Sequence, residues 1–222
     1  MITQNTPSLD LMEFVEAHII PRYAGFDRAH SISHVLRVIE HSLQLARQTG
    51  ADINMAYAIA AYHDLGMSGP RAIHHVTGGK ILAADQRLRR WFSAEQLKVM
   101  REAVEDHRAS ASHAPRSIYG KIVAEADRDL EPDTVFRRTV QYGLSHYPEK
   151  GREKQWERFL EHMRGKYSQN GYIKLWISNS SNEQHLRHIR SIIEQPTLLR
   201  QQFDHFYDQE IAASADDNRS AE

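Results

Sequence analysis

The stretch AYAIAAYHDLG at Ala56–Gly66 constrains this chain more than any other. Met55, Ile59 and Tyr62 recur at helical spacing, and Ala58, Ala60 and Ala61 fill the positions between them. That pattern predicts a helix packed on several sides, with small residues admitting close neighbours. An imidazole and a carboxylate, His63 and Asp64, then arrive together, followed by Gly66. Glycine is the residue type that ends helices in a left-handed conformation, so the pair is expected in the last helical turn. A neutral nitrogen beside a charged carboxylate suits a borderline-hard divalent cation, and the pair needs ligand partners from elsewhere in the chain.

Those partners cannot be thiolates. The sequence contains no cysteine, which removes disulfides, cysteine nucleophiles and cysteine-ligated clusters and leaves His, Asp and Glu as ligands. Twenty-eight basic residues against 29 acidic give a formal net charge of -1, so no global signature of nucleic-acid or anionic-membrane binding exists. Neither partner is expected. Nothing among the 222 residues resembles a Pro/Gly/Ser linker, and a single domain over residues 1–222 is expected. The N-terminus lacks a basic region followed by a long apolar run, and a cytoplasmic location is expected.

In chain order, Leu11–Ile20 predicts a short amphipathic helix stopped by Pro21. Ser31 or Ser33 caps the next helix, whose stripe of Val35, Val38, Ile39, Ser42 and Ala46 runs to Gly50 with His34 at its head. Asp52 or Asn54 caps the helix that carries His63 and Asp64. The connection between these two helices is short, which brings the start of one near the end of the other. A helix is expected from about Ala72 to Trp91, with His75 and Gly79 one turn apart and a Gly78–Gly79 pair implying close packing. Ser93 and Gln96 form a capping box that opens Ala94–Arg108, where Leu97, Met100, Val104 and His107 share an inward face. In Ile118–Leu130, Tyr119, Val123 and Asp127 share a face at steps of four. Further helices are expected at Pro132–Leu144, Arg152–Tyr167, Glu183–Glu194 and Leu198–Ile211. The stretch YIKLWI at Tyr172–Ile177 is read as irregular or helical, and residues 212–222 as a frayed tail. Period-two alternation is nearly absent, so the architecture is all-α.

His34, His63, Asp64 and Asp127 therefore lie where helices can bring them together, as a mononuclear site with positions left for water and substrate. At these residues the chain resembles the HD superfamily of metal-dependent phosphohydrolases. HVLRV at His34–Val38 looks like the first family histidine, HDLG at His63–Gly66 like the signature pair, and EADR at Glu125–Arg128 like the closing Ala-Asp-Arg. HHVTGGKIL at His74–Leu82 and DHR at Asp106–Arg108 stand where many members carry extra histidines. After Arg128 the chain reads Asp129–Leu130, where the family often has Leu-Asp.

The resemblance covers about residues 10–145, with a helical closure over about 150–211. It implies an HD-domain-like helical bundle around a buried divalent ion held by His34, His63, Asp64 and Asp127. The ion is manganese, iron, zinc, cobalt or nickel. The activity it implies is hydrolysis of a phosphoester or phosphoanhydride in a nucleotide or similar small phosphorylated compound. Asp64, His75, Lys80, His107 and Arg128 are the expected catalytic residues. Lys80 is the preferred phosphate binder among Arg37, Lys80, Arg108 and Arg128, with Glu105 and Asp106 as candidate bases. Two roles fit His75 and His107: ligands to a second metal, or hydrogen-bonding groups for phosphate beside a single ion, the latter favoured. The first of these roles belongs to the alternative function, a di-iron HD-type oxygenase acting on a small organic substrate.

Overall fold

A computed structural model describes residues 5–27, 30–109, 111 and 113–220, with side chains described through residue 214. All regular structure among the described residues is helical. The chain divides into two compact units, Met1–Arg128 with Leu175–Ser178, and Asp129–Lys174 with Asn179–Glu222.

The first unit contains α1 (Leu9–His18), α2 (Ile32–Thr49), α3 (Ile53–Tyr62), α4 (His74–Ala84), α5 (Ala94–Asp106) and α6 (Ile118–Ala126). Helix α3 is its centre, in contact with α1, α2, α4, α5 and α6. Asp52 starts it by accepting the N–H of Met55 on its carboxylate at 3.0 Å. Every residue of α3 except Asn54 is buried. Ile59, 1% exposed, contributes on the order of 1.5–3 kcal/mol through that burial. The Ser93–Gln96 capping box starts α5 as expected.

The glycines act by making room. Gly66 does not take the expected left-handed conformation; α3 ends at Tyr62, and Gly66 lies in a 3-10 turn at Leu65–Ser68. A Cβ there would sit 1.9 Å from the carbonyl oxygen of His74 and 2.6 Å from the nitrogen of Gly78, so the turn after α3 lies directly on the backbone of α4. On Gly79 a Cβ would meet the Arg101 carbonyl oxygen of α5 at 3.2 Å, the close packing that the glycine pair implies.

The helix expected over 72–91 is interrupted. It runs only from His74 to Ala84, and a separate 3-10 turn covers Gln86–Arg90. The cause is Asp85, whose carboxylate accepts the N–H of Arg87 at 3.1 Å and the hydroxyl of Tyr62 at 2.7 Å. An aspartate that draws a nearby backbone N–H to its side chain competes with the helical ladder.

The YIKLWI stretch has no regular structure through Ile173–Trp176. The amides of Trp176 and Ile177 donate instead to the buried carboxylate of Glu125, each at 2.8 Å. This satisfies backbone that a strand would pair with another strand.

The second unit holds α7 (Pro132–His146), α8 (Arg152–Tyr167), α9 (Ser181–Ile193) and α10 (Pro196–Ser220). Its core is aromatic: Phe159 lies 6.2 Å from Phe136 and 5.3 Å from Phe203 between ring centroids. The half-buried Trp156 packs on Phe159 and Phe203. Helix α10 continues through residues that were expected to fray, and residues 221–222 lie outside the described residues.

Candidate metal centre

Three of the histidines in the first unit share one local device. His63 and His107 stand just past the ends of α3 and α5, where the last carbonyls lack helical partners. Each turns its Nδ1–H back on the carbonyl three residues earlier, Ala60 at 2.7 Å and Val104 at 2.6 Å. His74, opening α4, does the same to Arg71 at 2.7 Å. Holding the proton on Nδ1 leaves Nε2 as a lone-pair donor aimed away from the backbone, as ligand histidines require. His34 sits in the first turn of α2, with the Arg37 guanidinium 3.3 Å from its Nδ1.

These Nε2 atoms converge on two carboxylates. His63 Nε2 lies 3.1 Å from Asp64 Oδ2 and 3.7 Å from Asp127 Oδ1. His34 Nε2 lies 3.5 Å and 3.2 Å from the same two oxygens and 3.3 Å from His63 Nε2. His34, His63, Asp64 and Asp127 thus offer four ligand atoms within 4.8 Å of one another, the set that the sequence proposes. Asp127 follows directly on the end of α6. The hydroxyl of the buried Tyr23 donates to the Ala61 carbonyl at 2.9 Å and accepts the N–H of Asp64 at 3.3 Å, pinning the turn that presents Asp64.

The other oxygen of Asp64 serves a second set. Its Oδ1 lies 3.5 Å from both His74 Nε2 and His107 Nε2, which are 3.1 Å apart. Here the structure corrects the sequence reading: His74, rather than His75, joins His107. The two histidines are 100° apart on α4. The turn at Gly66 rests on the His74 and Gly78 row, whereas the His75 and Gly79 row turns toward α5. Sequence spacing treats these rows alike, because each pairs a histidine with a glycine four residues on.

Other expected residues lie elsewhere. Lys80 is exposed on α4, about 240° round the helix from His74, a flank away from the cluster. Glu105 and Asp106, the candidate bases, are both engaged by Arg116, at 2.9 Å and 2.8 Å. Their charges hold the connection before α6 onto α5. Arg128 is buried beside Asp127 and donates to the Ala124 carbonyl. Tyr23 and Glu125 are supporting residues that the sequence did not single out; Glu125 opens the quoted EADR stretch, and no motif marks Tyr23.

The electrostatics suit a cation. Burial opposes ionisation of Asp64 and Asp127, yet the surrounding imidazoles outweigh it. His63 leads in holding Asp64 well below the carboxylate range, and His34 leads in holding Asp127 down to about 2. Burial likewise works against the charged form of His34, but Asp127 and Asp64 carry it up to about 9; Asp64 raises His63 in the same way. Protons on these two histidines occupy the place of positive charge between the buried Asp64 and the partly exposed Asp127, a role that a divalent ion would fill. His74 differs: burial holds it below the ordinary imidazole range, in the neutral form that ligates.

An all-helical unit that brings imidazoles and carboxylates together around Asp64 defines a class of helical domains with a candidate metal centre. Residues 31–130 match the family model of the HD domain. HD domains bind divalent metals, and the cluster could hold one. Over 149 residues the chain is 31% identical to a tRNA (cytidine(56)-2'-O)-methyltransferase of Thermoplasma volcanium, covering 64% of this chain but only 43% of that protein. Among solved structures, a Lactobacillus plantarum protein matches over 94% of this chain and 98% of its own, with a TM-score of 0.56 and 16% identity. A predicted HD superfamily hydrolase from an uncultured Thermotogales bacterium matches over 69% and 86%, with a TM-score of 0.48 and 24% identity.

Proposed function

We propose that this protein is a metal-dependent phosphohydrolase that cleaves a phosphoester or phosphoanhydride bond in a small phosphorylated compound, a nucleotide being the leading candidate. The observation that carries the reading is the convergence of His34, His63, Asp64 and Asp127 inside an HD domain. A divalent ion held there supplies a water of lowered pKa and polarises a phosphoryl oxygen. The chain's own residues do the rest. Tyr23 and the three backbone carbonyls fix the ligands before substrate arrives, and such preorganisation saves reorientation during reaction. Arg37 beside His34 and Arg128 beside Asp127 are the cations that take the remaining phosphate charge.

Asp64 offers one oxygen to each ligand set, which supports a second ion at Asp64, His74 and His107. The same observation keeps a second reading in play, a dinuclear oxygenase acting on a small organic substrate. The deciding experiment is elemental analysis of protein purified without chelator, followed by a phosphate-release screen over nucleotides and other phosphorylated compounds. The hydrolase reading expects metal-dependent phosphate release that His63→Ala abolishes. Oxygen consumption without phosphate release overturns it.

A further inference from the structure

Asp27 belongs to neither ligand set, yet it reaches toward both. Its Oδ1 accepts from Nδ1 of His30 at 2.7 Å and from the His30 backbone N–H at 3.2 Å, and its Oδ2 accepts from Nη1 of Arg71 at 3.2 Å. The His30 ring stands edge-on to that of His34, with centroids 6.1 Å apart. The Arg71 carbonyl is the acceptor that orients His74. One carboxylate thus joins the residue beside the first ligand set to the residue that aims the second.

This arrangement differs from a structural histidine. A histidine that serves only packing is enclosed with its polar atoms satisfied inside the protein. The His30 side chain keeps 14% of its surface exposed, and two bonds to one carboxylate hold its orientation. Nδ1 is committed to Asp27, so Nε2 is the ring atom left to meet a ligand. A carboxylate that orients an imidazole whose other nitrogen addresses the reacting molecule is a recurrent catalytic arrangement.

We propose that His30 contacts the substrate, its Nε2 hydrogen-bonding a phosphoryl oxygen of a compound bound at the cluster, and that Asp27 is the positioning residue acting through it. The inference rests on the phosphohydrolase reading. The bond forms in either protonation state, because a P–OH group donates to neutral Nε2 and an Nε2–H donates to P–O⁻.

The test uses the full-length protein loaded with Mn²⁺, inorganic phosphate as the binding probe and bis(4-nitrophenyl) phosphate as the kinetic probe. Metal content and thermal midpoint of His30→Ala should match the parent, while the phosphate Kd measured by calorimetry rises about tenfold, the scale of one hydrogen bond to a charged group. KM for the ester should rise with kcat little changed. Asp27→Ala should weaken phosphate binding less, and the double variant should be no weaker than His30→Ala alone, because His30 makes the phosphate contact itself. An unchanged phosphate Kd in His30→Ala overturns the proposal, as does loss of phosphate binding only in step with loss of metal, or a parent that binds no phosphate. A parent that binds phosphate but cleaves neither this ester nor any compound of the phosphate-release screen removes the hydrolase reading, while the phosphate comparison still decides the role of His30.

Discussion

The Nε2 atoms of His74 and His107 stand 3.1 Å apart, each 3.5 Å from the same oxygen of Asp64. Two imidazoles so close, with a carboxylate oxygen beside both, offer three ligand atoms that could hold a metal ion. Their source is not local, since one comes from the start of α4 and the other from the end of α5.

The expected consequence is a second equivalent of metal. Protein purified without chelator should hold close to two divalent ions per chain by elemental analysis, falling to about one in His74→Ala or His107→Ala. His75→Ala should keep both. A parent holding one ion, unchanged in His74→Ala, would place these histidines on substrate instead.

Removing Asp127 should empty the first site. Loss of an outer-sphere partner alone weakens metal binding roughly 10–100-fold, and loss of a ligand should exceed that. Asp127→Ala should therefore lose the ion of the His34 set while circular dichroism shows its helical content retained, because Asp127 lies past the end of α6. Full occupancy in this variant would exclude it as a ligand.

Acidity should act on metal binding and on metal-free stability in opposite directions. The folded-state pKa of His34, about 9, lies above its ordinary value of 6.5. Its protonation therefore stabilises the metal-free fold fully below pH 6.5, and that contribution, on the order of 3 kcal/mol, disappears as pH rises through about 9. Metal must displace the same proton, so affinity should climb over the same interval by up to about tenfold per pH unit. Denaturant titrations of chelated protein and metal titrations at pH values from 6.5 to 9 measure the two slopes. Parallel slopes would contradict the assignment.

Gly66→Ala should be among the most damaging single-methyl changes in the chain. The added carbon would lie 1.9 Å from the His74 carbonyl oxygen, and that oxygen belongs to backbone that cannot swing aside. A loss of about 3 kcal/mol or more is expected, read by chemical denaturation, with His74 metal occupancy falling in parallel. A variant of parental stability would show that the turn and α4 separate readily.

Glu125→Ala should destabilise without emptying the metal site. Its buried carboxylate receives the amides of Trp176 and Ile177, and leaving two such donors unpaired costs about 1–3 kcal/mol each. Denaturation midpoint and metal content, measured together, separate this anchoring role from ligation.

Local chemistry made much of this protein legible in one dimension. The periodicity around Ile59, the aspartate cap of α3 and the Ser93–Gln96 box depend on neighbours within a turn or two, and each stands in the structure as its residues imply. So does the convergence of His34, His63, Asp64 and Asp127, because helices joined by short loops leave few ways to place their ends. Three features depended on contacts distant in sequence. Asp85 broke a helix partly because Tyr62 waited for its carboxylate, and Gly66 was needed for clearance from α4 rather than for a left-handed turn. The choice of His74 over His75 came from the same approach: both histidines lie one turn from a glycine, and only the packing of the Gly66 turn on α4 decides which of them faces Asp64. A helix's own sequence sets which residues share a face, but the azimuth of that face is set by what packs against it.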